Sequence, residues 1–171
     1  PNGACNLGFC YESAIGVPQS WGDAVRWYAA ASEKGHPRAQ YCLGWCYEFG
    51  KGVPADQKSA AYWYGMAALK KEPRAQCCLA VCYREGIGVE KDIRRTVQLY
   101  RLAAGTGYAP ARLALGQLYE KGLGVKKDPQ RAVRYYHQAA DSGLDRAQLA
   151  LGRCYDKGIG LQEDQTAATR W

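Results

Sequence analysis

Hydrophobic and small residues recur along this chain with a fixed step of 36 residues. Leucine, tyrosine and glycine each return in step, and no copy contains an insertion. The leucine register is Leu7, Leu43, Leu79, Leu115 and Leu151, and the tyrosine register is Tyr11, Tyr47, Tyr83, Tyr119 and Tyr155. A period of this length is typical of a stacked array in which one supersecondary unit is copied along an axis. The pattern therefore predicts five copies of one repeating unit.

Each period reads as two helices joined by a tight loop. In the second period Ala39, Leu43, Gly44 and Tyr47 share one face of a first helix. That helix is expected to end at Gly50, since glycine readily takes the left-handed conformation of a helix C-cap. A second helix follows a side chain suited to capping its N-terminus. This N-cap register is Ser20, Asp56, Asp92, Asp128 and Asp164.

One recurring glycine, represented by Gly44, and two exceptions to the repeat are informative. Gly44 lies inside a helix, where glycine costs about 1 kcal/mol relative to alanine, so we expect a close helix–helix approach there. Ala14 stands where the other repeats have glycine at the end of the first helix, which predicts a strained or reshaped loop. Lys71 replaces the glycine at the end of a second helix, and we expect that turn to be the least regular.

The net charge of +7 favours nucleic-acid binding only if the basic residues cluster on one face. Lysine and arginine are instead spread over every repeat among aspartate and glutamate, which indicates a mixed solvated surface and no nucleic-acid partner. No stretch approaches the ~18 consecutive apolar residues of a membrane helix. The first residues also lack the basic start and apolar run of a signal peptide. We therefore expect no membrane partner.

The repeats divide residues 1–171 into one continuous solenoid. Their expected bounds are 1–36, 37–72, 73–108, 109–144 and 145–171, and the first and last are truncated. Neither end carries the polar capping repeat that covers the terminal face of a solenoid. We therefore expect the chain to be part of a longer protein. Its uncapped ends also make stacking into a homo-oligomer an alternative role.

The residues match a known pattern, Ala-x3-Leu-Gly-x2-Tyr-x2-Gly-x-Gly-Val-x2-Asp-x3-Ala-x2-Trp-Tyr-x2-Ala-Ala-x3-Gly, over residues 39–71, 75–107 and 111–143. This pattern resembles the Sel1-like repeat, a relative of the tetratricopeptide repeat. The resemblance implies an all-α fold, an α/α right-handed superhelical solenoid of helix-turn-helix repeats. It also implies a non-catalytic adaptor or scaffold for protein complexes, involved for example in signalling.

The chain has eight cysteines and two histidines. Cys10, Cys46, Cys82 and Cys154 share a register with Leu118, which indicates small buried hydrophobes. Secreted cysteine-rich Sel1-like proteins place a cysteine near the end of each helix, whereas here every cysteine lies on a first helix. Equivalent positions on neighbouring repeats are roughly 9–10 Å apart, and a disulfide needs Cα atoms within about 7 Å. We therefore favour reduced thiols in a cytoplasmic compartment, with a secreted or organellar parent protein as the alternative.

A cysteine-based metal or redox protein is an alternative function. Cys42-x3-Cys46 and Cys77-Cys78-x3-Cys82 place thiols on consecutive helical turns, although zinc sites usually show tighter Cys-x2-Cys or Cys/His spacings on loops. The Gly-x-Gly-Val loop recurs as a structural element and is weak as a phosphate-binding signal. No Ser/His/Asp grouping converges. We predict no catalytic residue, no metal and no cofactor.

The exposed face of the first helices is the predicted binding surface, because first helices line the concave groove of tetratricopeptide-like superhelices. These positions vary between repeats while the core positions stay constant, as expected if a core has one geometric requirement and a groove has many. The predicted partner-binding residues are Phe9, Arg38, Tyr41, Trp45, Glu48, Arg74, Cys77, Val81, Arg84, Gln117 and Arg153. The same registers also contain Cys5, Glu12, Leu113, Glu120, Arg146, Leu149 and Asp156.

Three members of this set, Phe9, Tyr41 and Trp45, are predicted to form an aromatic patch flanked by arginines of the second and third repeats. Tyrosine, tryptophan and arginine are enriched at the hot spots of protein interfaces. The alternative is that Tyr41 and Trp45 only fill the seam between repeats. We predict a protein or peptide partner bound in the groove.

Overall fold

The computed structural model describes residues 2–171, and every regular element in that part of the chain is an α-helix. The ten described helices are α1 (Asn2–Ser13), α2 (Trp21–Glu33), α3 (Pro37–Phe49), α4 (Gln57–Leu69), α5 (Pro73–Glu85), α6 (Ile93–Gly105), α7 (Ala109–Lys121), α8 (Pro129–Ala140), α9 (Asp145–Asp156) and α10 (Gln165–Arg170). Each repeat supplies two of them, so the predicted all-α repeat fold is confirmed. None of the helices within residues 2–171 combines the length and the apolar character that crossing a lipid bilayer requires.

The chain divides into two compact units, Pro1–Asp92 and Ile93–Trp171. The first unit contains α1 to α5 and the second contains α6 to α10. Within each unit, helices that are consecutive in sequence pack against each other. The division falls between α5 and α6, inside the third repeat.

Each unit has a core built from residues that recur in step. Alanines let the helices approach, and tyrosine rings fill the remaining space, so that Tyr28, Tyr64 and Tyr136 are fully buried. Burying a large apolar side chain stabilises a fold by about 1.5–3 kcal/mol. One core cluster of the first unit contains Cys5, Ala24, Val25, Tyr28, Ala31, Ala39, Leu43 and Cys46. The cluster of the second unit includes Leu113, Tyr119, Ala132, Val133, Tyr136, Ala147, Leu151 and Cys154.

Close helix approach explains the glycine inside the first helix, as predicted. A Cβ atom placed on Gly44 would lie 2.8 Å from Cδ1 of Tyr64 and 3.2 Å from the carbonyl oxygen of Ala60. Gly8 and Gly116 face the equivalent tyrosine rings of their own repeats. Because real Cβ atoms almost never approach a heavy atom within 3 Å, a side chain at any of these three positions would displace the ring. The third repeat differs, since it has Ala80 at this register.

Each of these buried tyrosine rings is also held at its hydroxyl end. The hydroxyl donates a hydrogen bond to a glutamate that lies on the first helix of the same repeat. The pairs are Tyr28 with Glu12, Tyr64 with Glu48, and Tyr136 with Glu120, the last at 2.6 Å. The ring is therefore fixed both by the glycine beneath it and by the carboxylate beyond it.

The helix ends follow the predicted capping chemistry. Ser20, Asp56, Asp128 and Asp164 each accept a hydrogen bond from a backbone N–H in the first turn of the helix that follows. The first helix of the second repeat ends at Gly50 in the left-handed conformation, with φ 65°. The predicted N-cap role is confirmed at these four positions.

Two residues other than glycine take the left-handed conformation within residues 2–171, Ala14 with φ 56° and Lys71 with φ 62°. The strain predicted at Ala14 is confirmed. The prediction of an irregular turn at Lys71 is wrong, because the N–H of Glu72 donates to the carbonyl of Ala67 as in the equivalent turns. These hydrogen bonds hold Lys71 in a conformation that costs a residue with a Cβ about 1–2 kcal/mol.

In every repeat after the first, the second glycine of the loop touches the preceding repeat. A Cβ on Gly52 would collide with the carbonyl oxygen of Trp21, and one on Gly88 with that of Gln57. Trp21 and Gln57 are the first residues of α2 and α4. The loop can therefore lie directly on the start of the preceding second helix only because this residue has no side chain.

Candidate functional site

Five of the predicted groove residues line one cleft in the first unit. Phe9, Arg38, Tyr41, Trp45 and Arg74 surround a cavity of about 160 Å³. These residues come from the first helices α1, α3 and α5 of three successive repeats. The structure thus brings together the three predicted aromatic residues and two arginines.

Trp45, which lines the cleft, is the middle ring of a row of three aromatic rings. The ring centroid of Trp45 lies 5.7 Å from that of Trp21 and 4.9 Å from that of Phe49. The guanidinium carbon of Arg38 lies 5.5 Å from the centroid of Phe9, within the range of a cation–π contact. Phe9 is 40% exposed and Phe49 is 54% exposed. Aromatic surface is therefore open to solvent in and beside the cleft.

Tyr41 lies between the cleft and the core of its own repeat. Its side chain lines the cleft, and its ring centroid lies 5.9 Å from that of Tyr64 in the core. One face of Tyr41 therefore packs in the repeat and another borders the cavity. Binding by this side chain stays a prediction.

Glu12 and Cys42 also line the cleft. Glu12 lies in a predicted groove register, and its carboxylate accepts the hydrogen bond of the Tyr28 hydroxyl. Burial, together with the thiol of Cys5 and the carboxylate of Glu12, raises the pKa of Cys42 to about 12. Cys42 is therefore neutral at physiological pH and acts as a small apolar wall. No sequence signal marked Cys42 as part of a cleft, because its register contains Cys78, Ala114 and Ala150 in the later repeats.

The other predicted residues of the first unit lie outside this cleft. Cys77 and Val81 are half-buried on α5. Nε of Arg84 lies 2.7 Å from a carboxylate oxygen of Glu85, and both side chains are exposed. The carboxylate of Glu48 accepts a hydrogen bond from the hydroxyl of the core residue Tyr64. Their part in binding stays a prediction.

In the second unit, Gln117 is exposed and Arg153 forms an ion pair of 2.7 Å with Glu120. Leu113, assigned to a groove register, is instead 7% exposed and belongs to the apolar cluster of this unit. Cys5, the equivalent residue of the first repeat, is 2% exposed in the first unit. The groove prediction is wrong for these two, because neighbouring side chains enclose them, whereas Leu149 in the same register is 75% exposed.

The eight cysteines are free thiols on the first helices of their repeats. Burial raises the pKa of Cys46, Cys77 and Cys78 to about 12, and that of Cys82 and Cys154 to about 11. Such thiols stay protonated at neutral pH and are poor nucleophiles and metal ligands. Within residues 2–171, no group of three or more histidine, cysteine, aspartate and glutamate side chains is arranged to hold a metal ion. The geometry thus gives no support to the metal or redox alternative.

Paired helices in equal steps, with a constant core and a variable exposed face, define an α-helical repeat protein of the solenoid class. The sequence pattern of the Sel1 repeat matches residues 1–36, 37–71, 73–107, 109–144 and 145–171. The chain belongs to the Sel1 repeat family, as its sequence predicted. Members of this family generally act as non-catalytic scaffolds that bind proteins.

Solved structures share this fold. A Sel1 repeat protein from Oxalobacter formigenes is 37% identical with a TM-score of 0.96, over 100% of this chain and 68% of that one. A protective antigen of uropathogenic Escherichia coli with an SLR fold is 35% identical with a TM-score of 0.90, over 98% of this chain and 36% of the antigen. Cysteine rich protein B of Helicobacter pylori, 22% identical with a TM-score of 0.60 over 75% of this chain and 92% of its own, shares the fold alone. No curated protein matches the sequence.

Proposed function

We propose that the chain is a non-catalytic interaction module that binds a peptide or protein segment in the cleft of the first unit. The observation that carries this proposal is the meeting of Phe9, Tyr41 and Trp45 with Arg38 and Arg74 around one cavity. These residue types are the ones that dominate protein interfaces. The protein-binding role of the Sel1 family supports the same conclusion.

The cleft is suited to binding because its walls are already in place. Trp45 is held between Trp21 and Phe49, and the Tyr41 ring packs on the core. A preformed surface lowers the entropy lost on association, so that only the ligand has to be ordered. Covering exposed aromatic surface contributes about 25 cal/mol per Å², from which the entropy lost on association is subtracted.

The charges of the cleft indicate what the segment contains. Arg38 and Arg74 are exposed at its edge, whereas the carboxylate of Glu12 is engaged by a core tyrosine. Guanidinium groups bind carboxylates through short charge-assisted hydrogen bonds. We therefore infer a ligand that combines an apolar or aromatic side chain with a neighbouring acidic group.

Selection from a random peptide display library tests this proposal and does not require the partner to be identified first. Peptides selected on the wild-type chain should bind Tyr41→Ala/Trp45→Ala at least about tenfold more weakly, the effect expected when hot-spot residues are truncated. Arg38→Gln/Arg74→Gln should weaken binding as well, while it leaves the contacts of Trp45 with Trp21 and Phe49 in place. Isothermal titration calorimetry measures the affinities, and circular dichroism checks the folding of each variant.

A control variant removes comparable exposed apolar surface elsewhere. Tyr62 and Leu69 lie exposed on α4 and do not line the cleft. Tyr62→Ala/Leu69→Ala should therefore bind the selected peptides as the wild type does. Wild-type affinity in folded cleft variants, or an equal loss in the control, would remove the proposed site. Homo-oligomer formation and the cellular compartment stay predictions.

A further inference from the structure

A large cleft in the second unit contains none of the predicted groove residues. Its volume is about 750 Å³, within the range of about 300–1,000 Å³ that ligand pockets occupy. Four cationic side chains line it, those of Arg101, Lys126, Lys127 and Arg131, and Asp128 is the one acid in the lining. The sequence indicated dispersed surface charge, whereas the fold gathers these four cations around one cavity.

Two guanidinium groups of this basic cleft meet at one neutral oxygen. Nη2 of Arg101 donates to the hydroxyl of Tyr119 at 3.0 Å, and Nη1 of Arg131 donates to the same hydroxyl at 3.3 Å. The guanidinium carbon of Arg131 also lies 5.1 Å from the Tyr119 ring centroid. That ring stacks on Tyr135 with centroids 5.7 Å apart. A hydroxyl neutralises neither cation, so two like charges are held close together.

The carboxylates of the second unit leave most of this charge uncompensated. Asp128 lies 3.6 Å from Nε of Arg131, and it also caps α8 by accepting a backbone N–H. Among residues 2–171, no carboxylate forms an ion pair with Arg101, Lys126 or Lys127. Burial opposes ionisation of Tyr119, but the hydrogen bonds and charges of Arg131 and Arg101 outweigh it and hold its pKa below the ordinary value. The cleft therefore has the positive potential that attracts an anion.

This pair of arginines occurs around one of these recurring tyrosines only. The two positions occupied by Arg101 and Arg131 lie 18 residues before and 12 residues after the recurring tyrosine. Elsewhere they hold Ala29 and Ser59 around Tyr47, Gly65 and Arg95 around Tyr83, and His137 and Ala167 around Tyr155. Repeat packing therefore does not require arginine at both positions.

We propose that the basic cleft of the second unit binds an acidic segment of a protein partner, with a carboxylate bridging Arg101 and Arg131. Lys126 and Lys127, exposed on the loop before α8, bind further carboxylates of the same segment. The cations surround one cavity and do not follow an extended track of evenly spaced phosphates. This favours a short acidic peptide over a polynucleotide. The site is separate from the aromatic cleft of the first unit and does not depend on it.

A fluorescently labelled hexaglutamate peptide tests this site in the intact chain by fluorescence anisotropy. It should bind saturably, and a hexaglutamine peptide should not bind. Arg101→Gln/Arg131→Gln should weaken hexaglutamate binding by about tenfold or more, because hydrogen bonds to charged groups are lost. As a matched control, Lys34→Gln/Lys70→Gln removes two exposed positive charges from the first unit and should change the affinity by less than about twofold.

A second variant separates binding from folding. Lys126→Gln/Lys127→Gln changes exposed loop residues, leaves the Tyr119 packing intact and should still weaken binding, with a melting temperature like that of the wild type. Absence of hexaglutamate binding, wild-type affinity in the arginine variant, or an equal loss in the control would overturn the proposal. Tighter binding of a ten-nucleotide oligothymidylate that the arginine variant loses would overturn it in favour of a nucleic-acid site.

Discussion

Replacing Gly44 by alanine is expected to destabilise the first unit, although alanine is the better helix former. The new Cβ would lie 2.8 and 2.9 Å from two ring carbons of Tyr64 and 3.2 Å from the carbonyl oxygen of Ala60. The ring cannot move away freely, because it is fully buried and its hydroxyl donates to Glu48. Either the helices separate or the ring shifts, and both disturb the core.

The expected loss of stability in Gly44→Ala is the net result of opposing effects. Overpacking a core typically costs about 1–3 kcal/mol, and displacing the tyrosine hydroxyl weakens a hydrogen bond to a charged group that is worth about 1.5–3 kcal/mol. The higher helix propensity of alanine stabilises the variant by about 1 kcal/mol relative to glycine. With the hydrogen bond partly retained, we expect a net loss of about 2 kcal/mol. For a chain of this size that lowers the melting temperature by about 4–8 °C.

Gly65 provides a matched control on the partner helix. It lies inside α4, next to Tyr64, and a Cβ placed there would meet no atom within 4 Å. Gly65→Ala should therefore gain the helix propensity without a clash. We expect it to raise the stability by about 1 kcal/mol and the melting temperature by about 2–4 °C.

Thermal and urea denaturation, followed by circular dichroism at 222 nm, measure both variants under the same conditions. The predicted signs are opposite, so a systematic error in the assay cannot produce the result. A Gly44→Ala variant as stable as Gly65→Ala would refute the view that close helix approach requires glycine at position 44.

Lys71→Gly should raise the free energy of unfolding in urea by about 1 kcal/mol, because glycine takes the left-handed conformation of φ 62° without strain; an unchanged value would mean that the turn is not strained. The melting temperature should fall as the pH rises from about 9 to 12, because unfolded thiols ionise near ~8.5 while burial keeps those of Cys46 and Cys82 protonated up to about 12 and about 11. These protonated thiols stabilise the fold fully below the pKa of the unfolded thiol, and that contribution is lost as the pH rises towards the pKa of the folded one. Cys46→Ala should therefore show a shallower fall of melting temperature with pH, and a slope equal to that of the wild type would contradict this. Arg101→Gln should raise the pKa of Tyr119, followed by NMR of ring-labelled tyrosine, and no change would show that the arginine does not act on the hydroxyl.

The sequence predicted the fold well because each core position has one geometric requirement. The N-cap register, for example, needs a short polar side chain, and Asp56 and Asp128 both meet that need in the same way. The resemblance to tetratricopeptide-like superhelices implied that the first helices line the groove, and helix geometry then decided which of their residues share a face. The sequence alone was therefore enough to place Phe9, Tyr41 and Trp45 together.

What the sequence could not predict depends on neighbours in space. Cys5 and Leu113 share a register with Tyr41, but whether that register is open or buried depends on the side chains packed around it. The basic cleft was missed because a search for recurring residues cannot find a combination that occurs once. Arg101 and Arg131 lie on helices of different repeats, and only folding brings both to the Tyr119 hydroxyl.

The loop glycines that touch the preceding repeat limit how a chain of this kind can change its length. Gly52 packs against the carbonyl of Trp21. One residue added to the loop would therefore break this contact and separate neighbouring hairpins. Length is therefore gained or lost in whole blocks of 36 residues. Duplicating one block copies its exposed face together with its packing surfaces, and that face can then diverge towards a new ligand while the copied contacts hold the array together.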